Sequence, residues 1–453
     1  MYSITRNNFN SELPPVESRK STVNQPRKVA ILGGNRIPFA RSNKEYANAS
    51  NQDMLTAAID GLVARYGLQD ERLGLVSGGA VLKHARDFNL VRESVLGSSL
   101  APTTPAVDVQ HACGTSLTSA IQVADAIAMG RIDSGIGCGT DTTSDAPLAV
   151  NDTLRKTLIK ASNAKKPADQ LKLFGSIRPS QLAPEQPQNG EPRTGLSMGE
   201  HAAITAREME ISREAQDELA AASHQNLAKA YDAGFFNDLV TPFLGVQRDT
   251  NLRPDSSVEK LSKLKPVFGK QDAIQHGGTA TMTAGNSTPL TDGAAAVLLG
   301  AEEWGQAHGL EAQAFIVDSE VAAVDFVHGK DGLLMAPTYA VPRMLERNGL
   351  SLQDFDFYEI HEAFASQVLA TLKAWEDETY CRERLGLDAP LGSIDRAKLN
   401  VKGSSLAAGH PFAATGARIL ASAAKTLVEN GGGRTLVSVC AAGGQGVVAI
   451  IER

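Results

Sequence analysis

Four side chains have the types and surroundings that nucleophilic and proton-transfer chemistry needs: Cys113, Cys440, His361 and His410. Cys113 stands where the apolar run Pro105–Val109 turns into a helix opened by Gly114, Thr115 and Ser116. A thiol at a helix N-terminus meets the positive end of the macrodipole, which favours the nucleophilic thiolate. The helix carries no charge until Asp125, so it is expected to be buried. An inert core thiol is the competing reading. His410 is preceded by glycine and followed by Pro411, a residue suited to the first helical position. A neutral imidazole at such a helix start can take a thiol proton and return it, or serve as a structural hydrogen-bonding group. Cys440 ends the apolar run Leu436–Val439 and meets Ala-Ala-Gly-Gly-Gln-Gly, whose glycines let a backbone approach a ligand and aim N–H groups at a developing oxyanion. It reads as a second acid or base, or as a core cysteine. His361 follows the strand-like Phe355–Ile360, where parallel sheets place functional residues, and can donate a hydrogen bond to an enolate or carbonyl oxygen, or cap a helix.

Two thiols and two imidazoles raise zinc as an option. No pair has the close spacing of a structural zinc site and no Cys-x-x-Cys is present, so no metal is expected. The four cysteines are too few and scattered for a disulfide framework, which points to a reducing, cytoplasm-like compartment, or a mitochondrial matrix in a eukaryote. A net charge of −7 gives no global basic field for nucleic acid. No apolar run reaches the ~18–20 residues of a membrane span. Residues 1–27 read as a flexible polar tail without a secretory signal.

The elements that would carry these groups alternate strand and helix. A strand is expected at 28–34, a helix from Met54, a strand near 73–82, a helix near 91–96, a strand near 106–109, helix 115–129 and a strand at 135–139. After Gly300 the alternation resumes with a strand at 314–318, helix 340–348, strand 355–360, helices 364–375 and 415–429, and strand 435–439. Such alternation with short connections predicts a mainly parallel sheet covered on both faces. The segment 151–275 differs. Arg155, Lys156, Lys160, Lys165, Lys166, Lys172 and Arg178 are opposed only by Asp169 within 155–178. Proline-rich 179–192 and an amphipathic helix near 212–230 follow, so this reads as an insertion outside the sheet. Its basic stretch either holds phosphates or is a solvated helix face. Cys113 and His410 each lead into a small-residue helix and then a strand, in halves of similar plan.

In combination, Ala112-Cys113-Gly-Thr-Ser, Thr283-Ala-Gly-Asn-Ser-Thr-Pro-Leu-Thr-Asp-Gly-Ala-Ala, His361-Glu-Ala-Phe, Gly409-His410-Pro and Cys440-Ala-Ala-Gly-Gly-Gln-Gly resemble the thiolase family, in family order, over residues 28–453. His-Glu-Ala-Phe, where Asn-Glu-Ala-Phe is usual, looks like the β subunit of the fatty-acid oxidation trifunctional complex. Lys172-Leu-Phe-Gly-Ser-Ile-Arg and Thr194-Gly-Leu-Ser-Met-Gly-Glu also resemble that subgroup. The resemblance implies an α/β, thiolase-like fold: two duplicated α/β halves with central mixed sheets in a layered sandwich, plus an inserted loop domain. The halves would be 28–150 with 276–300, and 301–453, with the loop domain at 151–275. It implies CoA-dependent cleavage of 3-ketoacyl-CoA, or the reverse condensation, with coenzyme A as substrate and no tightly bound cofactor. Cys113 would accept the acyl group and His410 activate it, Cys440 would be the second acid/base, and His361 would hold the enolate oxygen with His410. The N–H groups of Cys113 and Ala442 would form the other oxyanion hole, although glycine is usual at Ala442. Ser197, Met198, Thr288, Ala363 and Phe364 would line the acyl and pantetheine pocket. Gly403-Ser404-Ser405 departs from the common Gly-Gly-Ala. A homodimer or homotetramer is implied, whether a hydratase/dehydrogenase α subunit joins it stays open, and the basic stretch 155–178 gains weight as a docking surface for CoA phosphates, a partner or a membrane. A ketoacyl-synthase-type condensing enzyme and a non-catalytic lipid-binding relative are the rival readings.

Overall fold

The computed structural model describes residues 26–453 apart from Gln186; most of the expected tail lies outside the described residues. Strand β1 (Val29–Arg36) is followed by α1 (Asn51–Tyr66), which begins in a capping box of Ser50 with Asp53 and ends at Gly67 in the left-handed conformation. Strands β2 (Leu75–Gly78) and β3 (Ala106–Asp108) lead to α2 (Thr115–Ala128) and β4 (Ser134–Asp141). The insertion carries α3 (Asp152–Asn163), α4 (Pro167–Gly175), α5 (Met198–Glu208) and α6 (Arg213–Asp232). Strands β5 (Thr291–Ala301) and β6 (Ala314–Ala323), helix α7 (Pro337–Asn348), strand β7 (Phe357–Ile360) and helices α8 (Ala365–Glu376) and α9 (Thr415–Asn430) precede the closing hairpin β8 (Arg434–Ala441) and β9 (Gln445–Glu452).

The strands form one ten-stranded sheet in the order β7-β8-β9-β6-β1-β5-β4-β2-β3, with the two-residue strand Ala40–Arg41 beside β5. Its halves repeat one plan. In the first, β1, β5 and β4 are antiparallel neighbours and β4 is parallel to β2. In the second, β6, β9 and β8 are antiparallel neighbours and β8 is parallel to β7. The sheets of the two halves are continuous, because Val29–Ile31 pair with Ala314–Ile316 across the midline. The sheet is mixed, as the resemblance implies, where strand–helix alternation alone predicted a mainly parallel one.

Strand periodicity explains the layers. Along β5, Ala295, Val297 and Leu299 face one core, while Ala294, Ala296 and Leu298 face another. Along β9, Val447, Ala449 and Ile451 join the same core as the first set, while Val448 and Ile450 face a third. The shared core contains α2 and α9, so inward residues of both halves pack onto one central helix pair. Outer layers come from α1 on one side and from α7 and α8 on the other. Close approach explains the small residues in the central pair: a Cβ on Gly416 would fall 2.5 Å from the Leu117 backbone nitrogen.

The insertion lies outside the main sheet, as expected, but divides into two parts. The basic stretch forms the α3–α4 hairpin, in which only Leu154 and Ala161 are buried. By contrast, α6 and the segment after it send Leu227, Tyr231, Phe235, Phe236 and Leu239 into the central core. No helix among the described residues is long and apolar enough to cross a membrane.

Candidate active site

The two small-residue helices bring their N-termini together. His410 Nε2 lies 3.1 Å from Cys113 Sγ, and the His361 and His410 ring centroids are 4.2 Å apart. His410 sits just before a helix start, with Pro411 as the cap rather than the first helical residue: a short 3-10 turn, Phe412–Ala414, runs into α9 at Thr415. The turn is held by Asp141 at the end of β4, whose carboxylate accepts from the backbone N–H groups of Ala413, Leu82 and Val81. His410 is further fixed by its own N–H donating to Thr291 Oγ1 at 2.7 Å and by Nδ1 lying 2.6 Å from Thr415 Oγ1. Thr415 Oγ1 donates to the Pro411 carbonyl. Its lone pairs therefore receive His410 Nδ1–H, which leaves the Nε2 lone pair facing the Cys113 thiol.

The thiol is not pre-ionised, contrary to the expectation from the helix N-terminus. Burial pushes Cys113 up to about 12, against hydrogen bonds from the Ala442 and Cys113 backbone that favour the thiolate. Loss of water outweighs the helix end. Burial also lowers His410 to about 3, with the Arg418 charge acting the same way. Burial thus favours the neutral form of both the thiol and the imidazole. Immediately before the sulfur, Ala112 has φ 43°, a left-handed conformation costing an alanine roughly 1–2 kcal/mol. The strain turns the chain sharply into α2, and the sequence offered no sign of it.

Cys440 lies at the end of β8, one residue before its last, opposite Gly446. It packs against Met282, Ala363 and Phe364, with Met198 and Phe268 at the edge of the same cluster. Burial, with Cys113 nearby, pushes its thiol above the ordinary range. Thr288 donates twice to the Ala363 carbonyl, so it supports the loop that carries His361. Ser197 accepts from Glu200 N as the cap of α5. The backbone N–H of Ala442 reaches the Cys113 sulfur without a positive φ at Ala442.

Sequence reading missed the supports. Glu362 accepts from Ser223 Oγ, Asn400 Nδ2 and Leu406 N, tying the His361 loop to α6 and to the segment before His410. Glu191, from the insertion, accepts from Gly443 N beside the Cys440 strand. These partners are distant in sequence and belong to no motif. Spacing also hid a metal-like grouping: one donor atom each of Cys113, His361 and His410 lie within 4.8 Å of one another. Metal-bound histidines usually rest their second nitrogen on a carboxylate, carbonyl or water, whereas here hydroxyls hold both. The thiol would also have to ionise to ligate, which its burial opposes. Thiol and imidazole chemistry fits the donor set better.

Known proteins share this arrangement of chain. Residues 29–303 match the model of the thiolase N-terminal domain, and residues 310–453 that of the thiolase C-terminal domain. A 3-ketoacyl-CoA thiolase of Yersinia pestis (strain Pestoides F) is 38% identical over 434 residues, covering 94% of this chain and 97% of the relative. The crystal structure of the Bacillus anthracis acetyl-CoA acetyltransferase superposes with a TM-score of 0.77 at 28% identity, covering 95% of this chain and 99% of that one. Human mitochondrial 3-ketoacyl-CoA thiolase in complex with CoA does so with a TM-score of 0.76 at 28% identity, covering 94% and 98%.

Proposed function

The chain belongs to the thiolase family, and we propose on that premise that it is an acyltransferase cleaving 3-ketoacyl-CoA with CoA through an acyl-Cys113 intermediate. The 3.1 Å approach of His410 Nε2 to Cys113 Sγ carries this reading. As the sulfur attacks the 3-keto carbon, its proton passes to His410 Nε2. The N–H groups of Cys113 and Ala442 receive the developing oxyanion in a site poor in water. The C2–C3 bond then breaks and its electron pair moves into an enolate of the CoA thioester. His361 and the newly protonated His410 hold the enolate oxygen, and Cys440 donates a proton to C2, which releases acetyl-CoA. CoA thiol next attacks the acyl-Cys113 carbonyl, losing its proton to the Cys440 thiolate. Cys113 leaves as thiolate and recovers its proton from His410. Atoms and charges balance over the two half-reactions, and every step runs equally in the synthetic direction. Ser197, Met198, Thr288, Ala363 and Phe364 are the pocket we assign to the acyl and pantetheine chain.

Intact-protein mass spectrometry tests the covalent step: brief exposure to 3-ketoacyl-CoA without CoA should add one acyl group at Cys113. Cys113→Ala should take up none and lose thiolysis, and normal turnover by that variant would sink the reading. Cys440→Ser should slow carbon–carbon cleavage by roughly 100-fold or more, a general acid's usual share, while acyl-CoA still loads Cys113. Equal loss of both steps would remove its separate role. Family membership also supports a homodimer or homotetramer, which sedimentation at micromolar concentration would check.

A further inference from the structure

Behind His361 runs a polar chain to which neither motif nor mechanism gives a part. Arg418, on α9 and buried, donates from its guanidinium to Ser405 Oγ at 2.7 Å and more loosely to Ser404 Oγ. Ser405 Oγ lies 3.0 Å from His361 Nδ1. A guanidinium can only donate, so the Ser405 oxygen accepts from Arg418. No other acceptor lies in hydrogen-bond reach of Ser405 Oγ among the described residues, so its hydroxyl hydrogen goes to His361 Nδ1. A neutral imidazole that accepts at Nδ1 carries its own hydrogen on Nε2. Nε2 is the His361 atom with no hydrogen-bond partner among the described residues, although the side chain is about 1% exposed.

We propose that Arg418 and Ser405 form a relay that fixes His361 as the Nε2–H tautomer. His361 then offers the carbonyl oxygen of a bound CoA thioester a hydrogen-bond donor, and is neither a base nor a metal ligand. Thr415 sets His410 the opposite way, so two adjoining neutral imidazoles divide the work of acceptor and donor. Burial, His410 and Arg418 hold His361 well below its ordinary value and so keep it neutral. Burial lowers Arg418 to about 10, with Glu359 and Glu362 acting the other way, so the guanidinium stays charged at neutral pH. Two departures from the common family pattern thereby become one: an asparagine in place of His361 has no tautomer to fix, and Ser405 stands where alanine is common. Ser405 and Arg418 are positioning residues, and their role rests on His361 being the oxyanion contact.

Neutron diffraction of the deuterium-exchanged full chain should place deuterium on His361 Nε2 and none on Nδ1; deuterium on Nδ1 overturns the relay. In thiolysis of acetoacetyl-CoA, Ser405→Ala should lower kcat/KM by roughly 10- to 100-fold, somewhat less than the ~100- to 1000-fold cost of losing an oxyanion donor outright. Ser405→Thr, which keeps the hydroxyl, should recover most of that loss. In a His361→Asn background the same Ser405→Ala change should cost less than about twofold. Equal losses in both backgrounds would mean that Ser405 serves packing alone, and would overturn the relay. Unchanged turnover in His361→Ala has a different signature: it would remove the oxyanion reading of His361 and, with it, the relay's catalytic part.

Discussion

Cys113 is a thiol at rest, and that makes its reactivity a test of the site's electrostatics. Because burial raises it to about 12, the deprotonated fraction grows about tenfold per pH unit at every pH below that value. Alkylation of Cys113 by iodoacetamide, followed by peptide mass mapping, should therefore climb steadily from pH 7 to pH 9. A plateau below about pH 8.5 would show a pre-formed thiolate and contradict the balance in which lost hydration exceeds the helix end. At this scale the sequence announced the reactive atoms and concealed what sets them. Cys113, His410, Cys440 and His361 are few in type and sit in recognisable surroundings. Thr415, Ser405, Arg418 and Glu362 act through hydrogen bonds that no motif marks, and residues of those types occur everywhere in the chain. The helix-dipole rule gives only one side of the balance: burial of α2 was legible, but not that loss of water at the sulfur outweighs the helix end.

The elements hold the reactive atoms by close backbone approach. A Cβ on Gly139, in β4, would fall 2.0 Å from the Ala413 carbonyl oxygen and 2.6 Å from its carbon. Backbone atoms at such distances cannot yield without moving the turn that follows His410. Gly139→Ala should lower kcat/KM by roughly 100-fold, the usual cost of about 1 Å of misplacement, and destabilise by about 1–3 kcal/mol. Gly278→Ala is the control, since nothing lies within 4 Å of its Cβ position and it should change neither quantity. If Gly139→Ala behaves like the control, β4 does not position His410. The same packing limited what could be read beforehand. Helices α2 and α9 were visible as small-residue runs that follow Cys113 and His410. Strand β5 was not visible, because Thr291–Ala301 is buried throughout, and a strand covered on both faces loses the alternation that marks one. Strand β9 was hidden similarly, its interior being buried on both faces.

Across the whole molecule, one buried ion pair is among the ties that fasten the insertion to the sheet. Arg36, at the end of β1, meets Asp249 through two hydrogen bonds of 2.6 and 2.7 Å. Tyr231 Oη on α6 donates to the same carboxylate, and so does the Phe39 backbone N–H. The Arg36 guanidinium also lies over the Phe39 and Phe236 rings. The ion pair is nearly inaccessible, with side-chain exposures of 3% and 0%, so water cannot replace a missing partner. Asp249→Asn keeps the volume but leaves the guanidinium without a counter-charge. It should destabilise by about 3–5 kcal/mol, seen as a lower urea midpoint with an unchanged slope. The outer hairpin gives the contrast. Lys156 pairs with Asp152 in open solvent, at exposures of 64% and 52%, and Lys156→Ala should cost less than about 1 kcal/mol. Replacing Arg36 and Asp249 together by Met and Leu should recover much of the single-variant loss, because the main penalty is the orphaned charge rather than the absent attraction. If Asp249→Asn costs no more than Lys156→Ala, the insertion is fastened by the apolar face of α6 alone. Its hold on Glu362 and the His361 loop through Ser223 would then depend on hydrophobic packing.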